Sequence, residues 1–550
     1  MLCKIFQLFG WRVVSIEDNG LKSVELFSFA DLSNLKTADL YNRKGLFVDE
    51  FLDKHIVNSY KYSLDTMHRT VIFQFINSRL TNFDYLAAII EHYRNQKVKF
   101  KVVVHENGFA REFFSHFNIV ENIIFLPNFR LAVLPHLPND VLIRSLRIFK
   151  TNFSKLSVEK IKKPFQFDKE FKDNAKILFF PHKGITYGSA FAKDYYYGLL
   201  KVKPEAVMHV EFRLDILSVN QQNQVVAGYK EKGLQFFALS DVPLFYFLLA
   251  IVKHPHKIIG FIKPFNVNKL RMIGFTTGLY TCAWALFLRK IFPNAEKALV
   301  GYDVLFPKYI SGAMQLAGIE THAIQERMTL IRTNNYQVSA DYYYTWSEDC
   351  SERIRSKKSS RVDHVQVIQP PRSKLIKVPQ LTSSSTIVCF CNHPLTTEED
   401  WRKSFLQHPA VVEEFIELVL YLASAFKQFS FIIRFKNLNI FDCTKLDECV
   451  KKIEETMNVE ISIDYSEPGV SYKLINSAFG CIGHHTSIGD EALRCGVPFI
   501  FYDNVKYAEN LYSHLVPEYK DLFAFDKLTM KKLFESKIIN RSSGDTVSGT

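Results

Sequence analysis

Between an apolar run that ends at Gly483 and another that begins at Val497, the chain reads His484-His485-Thr486-Ser487-Ile488-Gly489-Asp490-Glu491. A polar turn, a helical stretch to Arg494 and a stop at Gly496 predict strand, loop, helix start and strand, which is half of a βαβ unit. A loop between a strand's carboxyl end and a helix N-terminus presents backbone N–H groups and the positive end of the helix dipole to an anion. Thr486 and Ser487 add hydroxyl donors there, with His485 beside them. Glu491, one turn further in, is an acceptor suited to the two hydroxyls of a ribose. The same spacing also suits an ordinary buried βαβ turn.

Two other stretches place reactive side chains at the ends of expected strands. Residues 176–197, KILFFPHKGITYGSAFAKDYYY, predict a strand over 177–180 followed by His182, Lys183 and, among aromatics, Asp194. Ligands of open α/β sheets sit outside strand carboxyl ends, where these groups would handle a proton and an anionic group. The alternative is a local cap at Asp194 and a surface His182. A strand over 386–390 leads to His393-Pro394, and one over 431–435 leads to Arg434 and Lys436, cations suited to diphosphate charge or simply exposed at a strand end.

Composition narrows the class. The 550 residues, 47% hydrophobic with 22 Gly and 19 Pro, predict two or three globular domains. A net charge of +12 points to an anionic partner, a membrane surface or a nucleotide-linked substrate. Nucleic acid is not expected, since no RRM, KH or zinc-finger pattern is present. The nine Cys form no disulfide pattern, and Cys389-x-Cys391 lacks a second zinc-spaced pair, so a reducing, cytosolic setting is expected with no metal and no cofactor. Neither a signal peptide nor a spanning run is read.

Along the chain, residues 1–65 carry no assignable role. An α/β rhythm follows, with strands expected over 71–76, 100–105, 122–127, 177–180, 206–212, 298–302 and 321–325, and helices over 83–93, 108–117 and 306–317. Residues 242–295 contain no Asp or Glu but carry Lys253, Lys257, Lys263, Lys269, Arg271, Arg289 and Lys290 around two apolar blocks, 244–249 and 284–288. That pattern fits an interfacial contact with an anionic membrane, or two core helices with basic rims. Residues 348–385 read as a linker. A second α/β domain, 386–540, is expected to hold helices over 411–426 and 444–457 and a strand over 459–463, before a polar tail, 541–550.

The pattern T-S-x-x-x-E-A-L-x-x-G-x-P-F-I from Thr486 resembles the nucleotide-sugar signature of GT-B glycosyltransferases. The order 298–347 (strand, Asp303, helix, strand, Gln325, then Ala340-Asp341 and Trp346) is similar to the CDP-glycerol glycerophosphotransferase and capsule-transferase group of surface-polysaccharide assembly. There Glu326-Arg327 stands where those members have His-Gly, so their histidine is not carried over. The resemblance covers roughly residues 176–503. It implies an α/β GT-B fold, two Rossmann-like domains facing across a cleft: an N-terminal acceptor domain, 66–347, with a membrane-contact insertion at 242–295, and a C-terminal donor domain.

The activity implied is metal-independent transfer of a sugar from a nucleotide-activated donor to a lipid-linked or growing surface glycan, on the inner face of the cell membrane. Donor-binding candidates are Thr486, Ser487, Glu491, His485, Arg434, Lys436 and His393; catalytic candidates are Asp194, then Glu326, with His182. A teichoic-acid-type polyol-phosphate transferase, or a non-catalytic membrane scaffold with a degenerate donor fold, are the alternatives.

Overall fold

The computed structural model describes, apart from short gaps, residues 14–15, 25–26, 37–57, 66–126, 169–181, 197–325, 334–376, 385–394, 409–435, 440–462, 470–503 and 517–540. The chain divides into two compact units, Leu40–Pro371 and Met1–Asp39 with Arg372–Gly549.

The first unit opens with three helices, α1 (Thr37–His55), α2 (Thr66–Arg79) and α3 (Phe83–Asn95). β1 (Val102–His105) and β2 (Ile123–Leu126), on either side of α4 (Ala110–His116), form a separate two-stranded parallel sheet. The main sheet follows in chain order as β3 (Ile177–Phe180), β4 (Val207–Phe212), β5 (Phe236–Leu239), β6 (Lys297–Val300), β7 (Glu320–Ile324), β8 (Ser339–Thr345) and β9 (Arg361–Val367). All seven are parallel, in the spatial order β9-β8-β7-β6-β3-β4-β5. Counted from β3, that is the doubly wound 3-2-1-4-5-6 order with one further edge strand.

A parallel sheet must be covered on both faces, and the connecting helices do this: α5 (Val219–Glu231), α6 (Leu244–Lys253), α7 (Pro255–Ile262), α8 (Asn268–Ile291), α9 (Lys308–Leu316) and α10 (Glu348–Ser356). α8, 24 residues long, buries Tyr280, Trp284, Phe287 and Leu288 in the main core with Leu178, Phe180, Ala298 and Met314. The block 284–288, read as one of two membrane-facing segments, is therefore core. Residues 242–295 are the crossover that carries the chain from edge strand β5 back to β6 beside β3.

Two further differences from the sequence reading have physical causes. Residues 71–76, expected as a strand, lie inside α2. Val71, Ile72, Phe73, Phe75 and Ile76 are all buried and α2 packs on α8 and α9, so the run is apolar on every side and carries no period to separate helix from strand. Residues 348–367, read as part of a linker, form α10 and edge strand β9. Ser347 caps α10 by accepting from the Cys350 N–H, and β9 is exposed along much of its length, which gave it the polar look of a connection.

Buried polar groups fasten the unit. Arg69 of α2 donates to Asp53 and Asp49 of α1 at 2.7 and 2.9 Å and to Ser359, before β9, at 2.8 Å. Gln325, at the end of β7, is fully buried: its Oε1 accepts from the Trp346 N–H at 2.9 Å and its Nε2 reaches Cys350 Sγ at 3.5 Å.

The second unit repeats the plan. Its strands are β10 (Thr386–Cys391), β11 (Ser430–Phe435), β12 (Val459–Ser462), β13 (Gly480–Gly483), β14 (Phe499–Tyr502) and β15 (Phe523–Ala524). They are parallel in the order β12-β11-β10-β13-β14-β15, again 3-2-1-4-5-6. Helices α11 (Pro409–Ala425), α12 (Asp447–Glu454), α13 (Val470–Ser477), α14 (Ser487–Arg494) and α15 (Lys527–Leu533) complete it. Cys389, Cys391 and Cys481 lie buried in these strands, and burial raises all three thiols. Two doubly wound, Rossmann-like units in one chain make the fold α/β.

Gln325 yields the first prediction. Gln325→Leu keeps the volume but leaves the buried Trp346 N–H without its acceptor, which costs about 1–3 kcal/mol. Thermal unfolding of the variant should fall by several degrees. An unchanged transition would show that β7 and β8 are held without this link.

Candidate functional site

In a doubly wound sheet the connections leave in opposite directions from the first and fourth strands, opening a crevice at their carboxyl ends. In the second unit these are β10 and β13. The His484 N–H donates to the Phe390 carbonyl at 3.1 Å, and the Asn392 N–H donates to His484 Nδ1 at 3.4 Å. His484, immediately after β13, thus sits at the switch point. Its ring lies 4.5 Å from that of Phe415 of α11 and is only 5% exposed.

Burial pushes the His484 imidazole down to about 4, so it is neutral near pH 7. The Asn392 N–H can only donate, so Nδ1 must accept and the single ring proton resides on Nε2. That Nε2–H is buried and has no partner among the described residues. A donor left in this state costs free energy unless an acceptor arrives. His484 was not among the residues singled out in the sequence, where His485 was. The 3-2-1-4 strand order is the signal that identifies it, because that order brings the residue after the fourth strand against the end of the first.

α14 begins three residues after His484. Thr486 is its N-cap, extended at φ −152° and ψ 150°, and its side chain makes no capping hydrogen bond. The Thr486 side chain therefore takes none of the first helical amides, and the bond it does make at the helix start is through its carbonyl, which accepts from the Gly489 N–H at 3.0 Å. Thr486 and Ser487 are half-buried, at the surface of the site. α14 lies tightly on the sheet because Gly489 has no side chain: a Cβ there would come 2.6 Å from the Phe501 ring of β14. This is the close helix–strand packing that glycine permits in dinucleotide-binding turns.

Two adjacent carboxylates hold α14 in place, both fully buried. Asp490 accepts from the Tyr519 hydroxyl and pairs with Arg494 at 3.2 Å. Glu491 accepts from the Tyr472 hydroxyl of α13. Thr486 and Ser487 thus stand at the mouth and Glu491 behind them, engaged with a tyrosine that nothing in its spacing revealed. Arg434 is half-buried near the end of β11, in register with Phe390 of β10 and Ser462 of β12, one strand away from the switch point. His485, Lys436 and His393 lie outside the described residues.

The first unit has the equivalent switch point between β3 and β6, where the Gly301 N–H donates to the Phe180 carbonyl at 2.9 Å. His182 follows two residues after β3, but His182, Asp194 and Glu326 all lie outside the described residues. Gln325, the residue that matched the transferase pattern, spends its side chain on Trp346 and Cys350 and is a structural link.

No family model matches the chain, and no curated protein matches it. Among solved structures it is similar to UDP-GlcNAc 2-epimerase from Neisseria meningitidis bound to UDP-GlcNAc, at 12% identity and a TM-score of 0.38 over 66% of this chain and 90% of that one. It is also similar to UDP-GlcNAc 2-epimerase from Methanocaldococcus jannaschii (11% identity, TM-score 0.38, 66% of this chain and 92% of that one). A mutant of Thermobaculum terrenum O-GlcNAc transferase is a third (9% identity, TM-score 0.31, 73% and 67%). The fold assignment rests on the two strand orders themselves.

The buried His484 predicts a pH dependence. Its folded value, about 4, lies below the ordinary 6.5, so between the two the unfolded chain binds the proton and the folded chain does not. Its contribution is whole above pH 6.5 and is lost as pH falls, by about 2–3 kcal/mol between pH 7 and 4.5. His484→Gln should remove that part of the acid dependence of the urea midpoint. Parallel pH curves for wild type and variant would show that the ring is not held neutral.

Proposed function

We propose that the second unit binds the phosphates of a nucleotide-activated sugar at the β10–β13 switch point, and that the protein is a glycosyltransferase. The observation that carries this reading is the His484 Nε2–H, without a partner among the described residues, beside a helix N-terminus that has two hydroxyls and no side-chain cap. All of these are donors, and a diphosphate presents only acceptors. The N-terminal dipole of α14 and the guanidinium of Arg434 meet the charge that develops on the leaving diphosphate. Glu491 takes the ribose hydroxyls by exchange for the Tyr472 hydroxyl, and His485, Lys436 and His393 complete the donor site.

In the reaction, an acceptor hydroxyl oxygen bonds to the anomeric carbon as the bond from that carbon to the phosphate oxygen breaks. The hydroxyl proton passes to a carboxylate, Asp194 first and Glu326 second, with His182 nearby. The acceptor in this reading is a lipid-linked or growing surface glycan, and no metal is needed to neutralise the leaving group.

A thermal-shift screen across UDP, GDP, CDP, CMP and dTDP compounds identifies the nucleotide. Thr486→Val with Ser487→Ala should then weaken its affinity by ten- to a hundredfold, the loss of about 1.5–3 kcal/mol for hydrogen bonds to a charged group. Unchanged affinity in a folded double variant would remove the donor assignment.

Asp194→Asn should lower turnover by about 10²–10⁴-fold while leaving nucleotide affinity alone. Near wild-type turnover would make Asp194 structural. Nucleotide binding without any transfer in the wild type would favour a scaffold that kept the donor fold.

A further inference from the structure

Among the described residues, one short helix carries a run of exposed large apolar side chains. On α6, Leu244, Phe245, Leu248, Ile251 and Val252 are exposed, from 46% at Leu244 to 77% at Val252. Their spacing of i, i+1, i+4, i+7 and i+8 is a single helical stripe facing away from the core. Ile259 of α7 is exposed as well. α6 and α7 meet at an 87° bend, and no single helix among the described residues is long and apolar enough to cross a membrane. The inner face is firmly seated: Ile258 and Phe261 of α7 are buried, and a Cβ at Gly274 of α8 would come 2.0 Å from the Phe261 carbonyl oxygen.

The charged side chains on α6, on α7 and directly after it are all basic. Lys253 is exposed at the end of α6, Lys257 is half-buried on α7 and Lys263 is exposed just after it. The charged neighbours of His254, at the bend, are Lys257, His256 and Lys253. Lys269, by contrast, belongs to the fold: it pairs with Glu112 of α4 at 2.8 Å and lies over the Phe109 ring. Arg271 and Arg289 donate to the Phe265 and Ala295 carbonyls at 2.7 and 3.0 Å.

An exposed apolar stripe calls for an apolar partner, and the basic residues at its end call for an anionic one. An anionic lipid surface supplies both in one plane. We propose that the bent pair α6–α7 lies in the headgroup layer of an anionic bilayer, with the α6 stripe in the acyl boundary and Lys253, Lys257 and Lys263 at the phosphates. This contact is independent of the nucleotide site and excludes α8, so it is narrower than the 242–295 segment read from the sequence.

The test is sedimentation of the full chain with vesicles of phosphatidylcholine alone or mixed with phosphatidylglycerol. Wild type should partition about tenfold or more better onto the mixed vesicles, and high salt should release only part of it. Leu248→Glu with Val252→Glu should abolish partitioning onto both. Lys253→Glu with Lys257→Glu should remove the preference for phosphatidylglycerol and leave the weaker binding to phosphatidylcholine. Leu248, Val252 and Lys253 are exposed and Lys257 is half-buried, so each variant should stay folded, which its thermal transition checks, and bind nucleotide unchanged. Wild-type partitioning by Leu248→Glu/Val252→Glu would overturn the proposal. So would no partitioning by wild type, with that double variant instead dissociating a self-associated form in sedimentation velocity.

Discussion

A parallel sheet has no face it can leave to water, and most of this molecule follows from having two of them. Strands such as β10 (Thr386–Cys391) and β14 (Phe499–Tyr502) are apolar on both sides because helices cover both sides. Each unit winds outward in both directions from its first strand, so the carboxyl ends of the first and fourth strands must lie side by side. A polar residue directly after the fourth strand is then drawn into a nearly dry position. His484 is that residue, and its neutrality, tautomer and unpartnered donor all descend from the strand order.

The same constraint sets the price of polarity inside. Each buried polar group described here is tied to a named element. Arg69 joins α2 to α1 and to the turn before β9, and Gln325 joins the ends of β7 and β8. Asp341 of β8 accepts from the Thr321 N–H and hydroxyl at 2.7 and 2.8 Å, locking its register to β7. Asp490 and Glu491 do this for α14, pinning it through Tyr519 and Tyr472. A helix N-terminus fixed at two points, and set close to the sheet by Gly489, needs little reorganisation when an anion arrives.

Much of the architecture was legible because apolar runs bounded by turns are strong signals. Strands expected over 177–180, 206–212, 431–435 and 459–463 match β3, β4, β11 and β12 to within a residue, and the helix expected over 411–426 matches α11 to within two. What failed turns on cover, which the sequence does not name: an apolar run can be helix or strand inside a core, and the exposed β9 reads as a connection. Residues 71–76, the half-buried Gln74 apart, are buried in a helix, and Trp284 faces a core, not a lipid. The pairings of Lys269 with Glu112 and of Glu491 with Tyr472 are tertiary facts that no local spacing carries. At the candidate site, the position of Thr486 and Ser487 at a helix start was readable; that of His484 required the strand order.

The position of α6 and α7 between β5 and β6 also sets a sequence of events during synthesis. A nascent chain presents both helices before α8, which packs against them, has emerged. For that interval Ile258 and Phe261 are as bare as Leu248 and Val252, and β3 still lacks its neighbour β6. The pairing of β3 with β6, and with it the first sheet, therefore waits until the sheet's most apolar connection has emerged.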